Sequence, residues 1–180
     1  MMILSISPSG KVVLIGFMGT GKSSVSRLLA EKLAWSCADS DAEVERAEGR
    51  SISDIFAEDG EQAFRDMESH ELSKLLKQHS HTVIATGGGA VLREDNRSAM
   101  LQHGFVVALS ADPEQIIARV LLDKSRPLLE GAVRERVYGL LETRKGAYDF
   151  AHLTVDTTEL SVEEVVDCIV MAWKQHSTFP

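Results

Sequence analysis

The chain contains 180 residues, of which 44% are hydrophobic, and this length and apolar content predict a single domain over residues 1–180. Its apolar runs are far shorter than the roughly 20 residues that cross a bilayer, and its first residues lack a signal-peptide pattern, so we expect a cytoplasmic protein with no membrane partner. The formal net charge of -8 disfavours a nucleic-acid binder, which would carry a clustered basic face. Cys37 and Cys168 lack metal-ligand spacing and are too few for a disulfide scaffold, so we expect both in the core.

Short apolar runs and helical patterns alternate along the chain. Lys11-Val12-Val13-Leu14-Ile15 is continuous and rich in β-branched residues, which predicts a buried strand, and similar runs follow at residues 82–85 and 105–109. Between them, apolar residues recur at three- and four-residue steps over residues 23–33 and 61–76, which indicates amphipathic helices. The strands are continuously apolar, so the sequence predicts a parallel sheet covered by helices on both faces, a three-layer α/β domain.

Two later helix starts carry recognisable caps. Asp112 is followed by Pro113, a capping residue before a proline suited to the first turn. Ser161 stands three residues before Glu164, the spacing of a capping box. We therefore expect helices that begin just after Asp112 and Ser161.

A phosphate-binding loop directly follows the first strand. The segment Gly16-Phe17-Met18-Gly19-Thr20-Gly21-Lys22-Ser23 matches the pattern G-x-x-x-x-G-K-[ST] in full. Its glycines allow backbone N–H groups to curl around phosphate oxygens, and Lys22 is placed to reach the β- and γ-phosphates. The Ser23 hydroxyl is a ligand for Mg²⁺. The alternative, a glycine-rich turn that binds nothing, conflicts with the strand before it and the helix after it.

Two carboxylates follow about one helix beyond this loop. Asp39 and Asp41 are spaced i, i+2 and lie on one face if the segment is extended. One can serve the metal through water while the other accepts a hydroxyl proton. The alternative is a polar turn with an aspartate helix cap.

Two further loops have compositions suited to ligand contact. Gly87, Gly88 and Gly89 close the third apolar run and let bare backbone approach a ligand. Residues 123–131 interrupt a helical pattern with proline and glycine, as expected of a mobile lid that carries Arg126. An isolated lid arginine is usually only solvated.

Together with two more arginines, these segments resemble the shikimate kinase family. The resemblance runs from about residue 12 to residue 157 in one order and without large gaps. It also includes Gly49-Arg50-Ser51-Ile52-Ser53-Asp54-Ile55-Phe56, Gly60-Glu61-Gln62-Ala63-Phe64-Arg65, Arg126-Pro127-Leu128-Leu129, and Arg144 four residues before Tyr148.

The resemblance implies a fold and an activity. The expected fold is a P-loop NTPase of the nucleoside-monophosphate-kinase type, with a five-stranded parallel sheet, a substrate-binding segment at about residues 40–70 and a lid at about residues 122–132. The expected activity is transfer of a phosphoryl group from ATP, with one Mg²⁺ ion, to the 3-hydroxyl of shikimate. That step belongs to the synthesis of chorismate and the aromatic amino acids. We expect a monomer.

The resemblance also implies residue roles. Asp41 matches the residue that binds the acceptor hydroxyls and takes the proton, and Asp39 matches the one near Mg²⁺. Lys22, Asp41 and Arg126 are the expected catalytic residues. The expected nucleotide-binding residues are Gly19, Thr20, Gly21, Lys22, Ser23, Ser24 and Arg119, which stacks on adenine in the family. The expected shikimate-binding residues are Asp41, Arg65, Gly87, Gly88, Gly89, Arg126 and Arg144.

The chemistry of the acceptor supports these assignments independently. Shikimate is a carboxylic acid with three hydroxyls, so its site needs a guanidinium for the carboxylate and an acceptor for hydroxyl protons. Arg65, Arg144 and Asp41 supply these groups. Glu68 lies three residues after Arg65 on one predicted helix and could orient it, although an ordinary surface ion pair has the same spacing. We expect Phe56 and Phe64 to pack beneath the substrate, or simply in the core, and Tyr148 to serve packing alone.

Two departures from the family pattern and two alternative functions remain. Ser24 stands where many members have threonine, and Gly146 stands where the family often has proline, which should loosen the chain near Arg144.

A kinase of another small polyhydroxy acid, such as gluconate, would share the phosphate loop. A non-catalytic nucleotide-binding protein would also share it, but should lack one of the catalytic groups.

Overall fold

The computed structural model describes residues 10–78, 81–122 and 130–178. Within these ranges it contains five strands, eight α-helices and one 3₁₀ turn. The strands are β1 Lys11–Gly16, β2 Ser36–Asp39, β3 Thr82–Ala85, β4 Phe105–Ser110 and β5 Leu153–Asp156. The helices are α1 Lys22–Leu33, α2 Ser40–Glu48, α3 Ile52–Glu58, α4 Gly60–Lys77, α5 Glu94–His103, α6 Pro113–Leu122, α7 Glu130–Thr143 and α8 Val162–Thr178, with the 3₁₀ turn at Ala90–Leu92.

The five strands form one parallel sheet in the order β2-β3-β1-β4-β5. In the central strand, Val13 is level with Ile84 of β3 and with Val106 of β4. Parallel neighbours direct all their carboxyl ends to one edge of the sheet, so the loops after β1, β2 and β3 are neighbours. This edge carries the segments with predicted chemistry.

Helices cover both faces of the sheet, which confirms the predicted three-layer α/β architecture. Successive residues of β1 point to opposite faces, so Val12 and Leu14 pack with the residues of α1 and α8, and Val13 and Ile15 pack with those of α4 and α5. All four side chains are fully buried. Burial on both faces explains why the strands are continuously apolar.

The predicted helix caps are confirmed. The Glu114 N–H donates to Asp112 Oδ1 over 2.9 Å just before α6. Before α8, the Glu164 N–H donates to Ser161 Oγ over 3.2 Å and the Ser161 N–H donates to Glu164 Oε2 over 2.8 Å. This reciprocal pair is a capping box.

The expected substrate segment folds as α2, α3 and α4 around a small core of its own. Val44, Ile55 and Phe64 are buried together there. Phe56 contacts Phe64 with ring centroids 4.9 Å apart, but Phe56 itself is exposed. Phe64 is therefore a core residue, whereas Phe56 covers the edge of this small core.

The predicted lid falls largely outside the described residues, and Arg126 lies outside them altogether. The helices on either side, α6 and α7, pack together through Ile116, Ile117, Val133 and Val137. Phe17 from the phosphate loop joins the same cluster. The helices that flank the predicted lid are thus packed directly against the loop that follows β1.

The prediction that both cysteines lie in the core is wrong, because both are exposed. Cys37 lies on β2, an edge strand whose residues are only partly covered. Cys168 lies beside the buried stripe of α8 that Val165, Val166 and Ile169 form. No helix within the described ranges is long and apolar enough to cross a membrane.

Candidate active site

The phosphate loop turns sharply at glycines that no other residue could replace without strain. Gly16 has a φ of 146°, and a Cβ on it would collide with the Leu109 carbonyl oxygen of β4. Gly19 has a φ of 75°, and a Cβ there would lie 3.3 Å from the Ile116 carbonyl oxygen. These backbone conformations favour glycine and bring the chain round to the start of α1 at Lys22.

Lys22 lies inside the loop with its charge largely removed from solvent. Its Nζ donates to the carbonyl oxygens of Gly16 over 2.7 Å and Phe17 over 2.9 Å. Burial lowers the pKa of Lys22 to about 8, although the charges of Asp41 and Asp39 act to raise it. The ammonium group therefore keeps its proton at neutral pH. It lines the cleft that the loop borders.

The two predicted carboxylates have different local structures. Asp39 ends β2 and caps α2, because its Oδ1 accepts the N–H groups of Asp41 over 2.9 Å and Ala42 over 3.1 Å. Asp41 lies in the first turn of α2, so the interpretation of an extended i, i+2 pair is wrong. The helix begins one residue after Asp39 because the aspartate side chain satisfies its first N–H groups. The alternative of an aspartate cap is confirmed, and both side chains nevertheless line one cleft.

Asp41 is a partly desolvated carboxyl with an unusual affinity for protons. Burial, together with the negative charges of Glu68 and Asp39, raises its pKa to about 6, although Lys22 and Arg65 act to lower it. Its Oδ1 is buried and has no hydrogen-bond partner among the described residues. Buried carboxylate oxygens are normally hydrogen-bonded, so this atom is available to a ligand in the cleft.

Arg65 and Glu68 form an ion pair within α4. Arg65 Nη1 donates to Glu68 Oε2 over 2.8 Å, and Nη2 lies 3.4 Å from Glu61 Oε1. The Glu68 side chain is 1% exposed and that of Arg65 is 13% exposed, so this is not an ordinary surface pair. Burial raises the pKa of Glu68, although its bond to Arg65 acts to lower it. The Arg65 guanidinium also lies over the ring of Phe64, 5.2 Å from its centroid.

Three of the predicted substrate side chains, those of Asp41, Arg144 and Arg65, each approach a different glycine of the triple-glycine turn. A Cβ on Gly87 would lie 2.6 Å from Asp41 Oδ1 and 2.7 Å from Glu68 Oε1. A Cβ on Gly88 would lie 3.1 Å from Arg144 Nη1, and one on Gly89 would collide with the Arg65 guanidinium. Glycine is needed here because charged side chains approach the backbone, not because of a positive φ.

Arg144 follows the end of α7 and faces the phosphate loop. Its guanidinium lies 5.6 Å from the centroid of the Phe17 ring. Gly146, at a φ of 76°, turns the chain just after it, and proline could not adopt that angle. This departure from the family pattern therefore matches the local turn. Tyr148 closes the turn, and its hydroxyl donates to the Gly88 carbonyl oxygen over 2.7 Å.

Arg119 links the phosphate loop to the end of the sheet. Its guanidinium donates to the Gly19 carbonyl oxygen over 3.0 Å and to the Thr157 carbonyl oxygen over 3.0 Å. The buried Thr157 hydroxyl lies 2.9 Å from the Thr20 carbonyl oxygen and 3.0 Å from that of Ser110. Arg119 thus lies at the mouth of the loop, while its expected stacking on adenine stays a prediction.

Two residues beside the site were not predicted from the sequence. Thr157 had no assigned role, and Tyr148 was expected only to pack. Tyr148 does pack against the core beneath β3 and β4, but its hydroxyl bond is an additional contact. The i, i+4 spacing of Arg144 and Tyr148 was a usable signal for Tyr148. Nothing local distinguished Thr157, because its partners lie far away in the chain.

The loops after β1, β2 and β3 enclose a cleft of about 340 Å³ at the carboxyl edge of the sheet. Most of the predicted phosphate, metal and acceptor residues line it, and Arg65 and Arg144 approach the glycine turn at its edge. The residues that line it are Met18, Gly19, Gly21, Lys22, Ser23, Ser24, Asp39, Asp41, Ala85, Thr86, Gly87 and Gly88.

This fold and site define the class of the protein. A phosphate loop after the central strand of a 2-3-1-4-5 parallel sheet, with acidic and basic groups across one cleft, is the arrangement of a P-loop phosphotransferase. The sequence profile of the shikimate kinase family matches residues 18–174. The chain belongs to the shikimate kinase family.

Individual relatives agree with this assignment. The chain is 44% identical to a shikimate kinase of Pelotomaculum thermopropionicum over 92% of this chain and 96% of the relative. It is 48% identical to one of Desulforudis audaxviator over 91% of this chain and 86% of the relative. The structure of shikimate kinase from Acinetobacter baumannii in complex with shikimate superposes with a TM-score of 0.85 at 35% identity, covering 94% of this chain and 95% of that one.

The alternative small-molecule kinase is less similar. A gluconokinase from Sinorhizobium meliloti superposes with a TM-score of 0.59 at 17% identity, over 94% of each chain. Identity this low shows a common fold only. The shared fold explains why the phosphate loop alone could not distinguish the two kinases.

Proposed function

We propose that this protein transfers the γ-phosphoryl group of ATP to the 3-hydroxyl of shikimate, giving shikimate 3-phosphate and ADP. The observation that carries the proposal is the glycine turn at Gly87–Gly89, where Asp41, Arg65 and Arg144 meet beside the phosphate loop. Two guanidinium groups and one carboxylate match an acceptor that has a carboxylate and several hydroxyls.

The acceptor is held between these groups. Arg65 and Arg144 bind the shikimate carboxylate, and Glu68 holds Arg65 in place through the bond between Nη1 and Oε2. The unpartnered Oδ1 of Asp41 accepts a hydroxyl proton from the substrate. Backbone N–H groups of the glycine turn complete the site.

The phosphoryl group moves by in-line displacement. A bond forms between the 3-hydroxyl oxygen and the γ-phosphorus, and the bond from that phosphorus to the β–γ bridging oxygen breaks, so that ADP leaves. The hydroxyl proton passes to Asp41, whose pKa of about 6 leaves it ionised at neutral pH yet able to take a proton. Lys22 stabilises the charge on the phosphate oxygens, and Arg126 is assigned the same role from the lid.

The residues of the cleft fit Mg²⁺. Ser23 and Asp39 both line it and offer oxygen ligands, and neither cap bond of Asp39 uses its Oδ2. The described residues contain no group of three or more His, Cys, Asp or Glu that could hold a metal ion. A sparse set of oxygen donors suits Mg²⁺, which keeps several waters and shares the nucleotide phosphates. When bound there, the ion would neutralise phosphate charge, with Ser23 as a direct ligand and Asp39 acting through water.

The remaining assignments are also proposals. Gly19, Thr20, Gly21 and Ser24 bind nucleotide phosphates, and Arg119 contacts the adenine. The chain acts as one domain and as a monomer in the cytoplasm. Size-exclusion chromatography with light scattering would check the oligomeric state.

A coupled assay of ADP release tests the proposed function. The purified protein is mixed with ATP and Mg²⁺, together with shikimate, gluconate or no acceptor. We expect ADP release that depends on shikimate. Release with gluconate instead would overturn the acceptor assignment and leave the phosphate loop intact. ATP binding with no release under any condition would indicate a non-catalytic nucleotide-binding protein.

A further inference from the structure

Several backbone polar groups of the turn Gly87–Gly89 are bonded to Ser40 and to residues that follow the turn. The Gly87 N–H donates to Ser40 Oγ over 3.2 Å, and the Gly87 carbonyl oxygen accepts the N–H of Ala90 over 3.1 Å. The Gly89 carbonyl oxygen accepts the N–H of Leu92 over 3.1 Å. Among the described residues, the N–H groups of Gly88 and Gly89 have no acceptor, so these two donors are available to a ligand.

The remaining polar group of the turn, the Gly88 carbonyl, is held by one side chain. It accepts the Tyr148 hydroxyl over 2.7 Å, a contact that joins residues sixty positions apart. Burial raises the pKa of Tyr148, so the phenol keeps its proton and remains a donor throughout the neutral range. Tyr148 itself is anchored because its ring packs against the core beneath β3 and β4.

Holding a carbonyl also orients the neighbouring amide. The Gly88 C=O and the Gly89 N–H belong to one peptide unit, which is planar and trans, so the two bonds point in opposite directions. Neither glycine has a side chain to restrict rotation of this peptide plane. The bond from Tyr148 is therefore the contact that determines where the Gly89 N–H points.

We propose that Tyr148 is a positioning residue for the acceptor: it holds the Gly88 carbonyl and thereby directs the free Gly89 N–H group toward shikimate. The inference rests on the proposed function. Arg144 and Tyr148 belong to the same turn after α7. Through this turn, the Arg144 guanidinium approaches Gly88 and the Tyr148 hydroxyl reaches the Gly88 carbonyl oxygen. Among the described residues, Tyr148 makes no hydrogen bond to the phosphate loop, so its effect should fall mainly on the acceptor.

The test compares two variants that lose the same atom. Tyr148→Phe removes only the hydroxyl at the glycine turn. Tyr138→Phe removes an exposed hydroxyl that donates to Glu114 Oε1 over 2.9 Å, between α7 and α6. We expect Tyr148→Phe to raise the KM for shikimate about tenfold, with kcat changed far less and the KM for ATP unchanged. Tyr138→Phe should leave every constant at the wild-type value.

Amide NMR spectra provide a second readout that does not depend on turnover. In Tyr148→Phe, the amide resonance of Gly89 should shift and lose its response to added shikimate, whereas those of Gly19 and Gly21 should stay in place. An unchanged shikimate KM, or an equal rise in both KM values, would overturn the inference. Failure of the wild-type protein to use shikimate would instead contradict the proposed function, so the two failures are distinguishable.

Discussion

Arg65 and Glu68 stand one helical turn apart on α4 and are joined by a 2.8 Å hydrogen bond in which the carboxylate is 1% exposed. The same spacing and distance recur in Arg46 and Glu43 on α2, where the arginine is 73% exposed. The spacing and the bond length are the same, although the order of acid and base along the helix is reversed, and only the first pair is desolvated. The two pairs therefore allow a matched test of how much a buried arginine and an exposed arginine each contribute to the KM for shikimate.

Arg65→Ala should raise the shikimate KM by about 30-fold or more, because truncating a desolvated charge pair costs about 2 kcal/mol or more. The KM for ATP should not change. Arg46→Ala is the control, and it should leave both KM values unchanged because exposed pairs contribute little. Steady-state kinetics with each substrate varied would measure this. Equal effects of the two substitutions would contradict the carboxylate-binding role of Arg65.

Asp41→Asn should lower kcat by about 100-fold or more, since general-base catalysis contributes at least that much and an amide cannot take the proton. Nucleotide binding should survive because the phosphate loop is untouched. Single-turnover kinetics and calorimetric titration with ATP would separate the two effects. Asp95→Asn, on the exposed surface of α5, serves as the control. Near-normal turnover in Asp41→Asn would exclude Asp41 as the base.

Shikimate binding to the free enzyme should depend on pH through Asp41. Burial and the charge of Glu68 raise the Asp41 pKa to about 6, so the carboxyl holds its proton below that pH and becomes an acceptor above it. Binding should therefore strengthen as the pH rises through about 6. Glu68→Gln removes a negative charge and should move the midpoint to lower pH. Calorimetric titration without nucleotide or metal would measure this, and a midpoint that Glu68→Gln leaves in place would contradict the coupling.

Asp39→Asn should weaken the metal site without unfolding α2. Asparagine caps a helix about as well as aspartate, so the bonds to the N–H groups of Asp41 and Ala42 should persist. Loss of the charge should raise the Mg²⁺ concentration for half-maximal activity about tenfold, as for other outer-sphere groups. A magnesium titration of activity, paired with thermal unfolding, would check both points. An unchanged magnesium requirement would remove Asp39 from the metal site.

Thr157→Val should raise the KM for ATP about fivefold while leaving that for shikimate unchanged. The hydroxyl has one proton and lies within hydrogen-bond distance of the carbonyl oxygens of Thr20 and Ser110. In the valine variant the Ser110 carbonyl keeps the Thr157 N–H, but the Thr20 carbonyl loses the hydroxyl. Thr157→Ser keeps the hydroxyl and should remain close to wild type. If the Thr157→Val and Thr157→Ser variants had the same KM for ATP, the hydroxyl would have no part in holding the phosphate loop.

The sequence by itself determined the features that depend on neighbouring residues. The strand before Gly16, the phosphate loop, α1 and the capping box at Ser161 and Glu164 follow from short-range patterns of apolarity, glycine and caps. Local steric and hydrogen-bonding preferences are strong there, so few residues suffice to predict the structure. The alternation of apolar strands and helical patterns also predicted the three-layer α/β domain, and family resemblance then added the five-stranded sheet and the roles of the site residues.

Tertiary structure alone decided which distant groups meet. The sheet order brings β3 between β1 and β2, and so brings the glycine turn against Asp41, Arg65 and Arg144. The exposure of Cys37 and Cys168, and the bond from Tyr148 to Gly88, likewise depend on contacts between elements. Periodicity shows that a residue has a buried face but does not show what covers it, because partners far apart in the chain leave no mark on the local pattern.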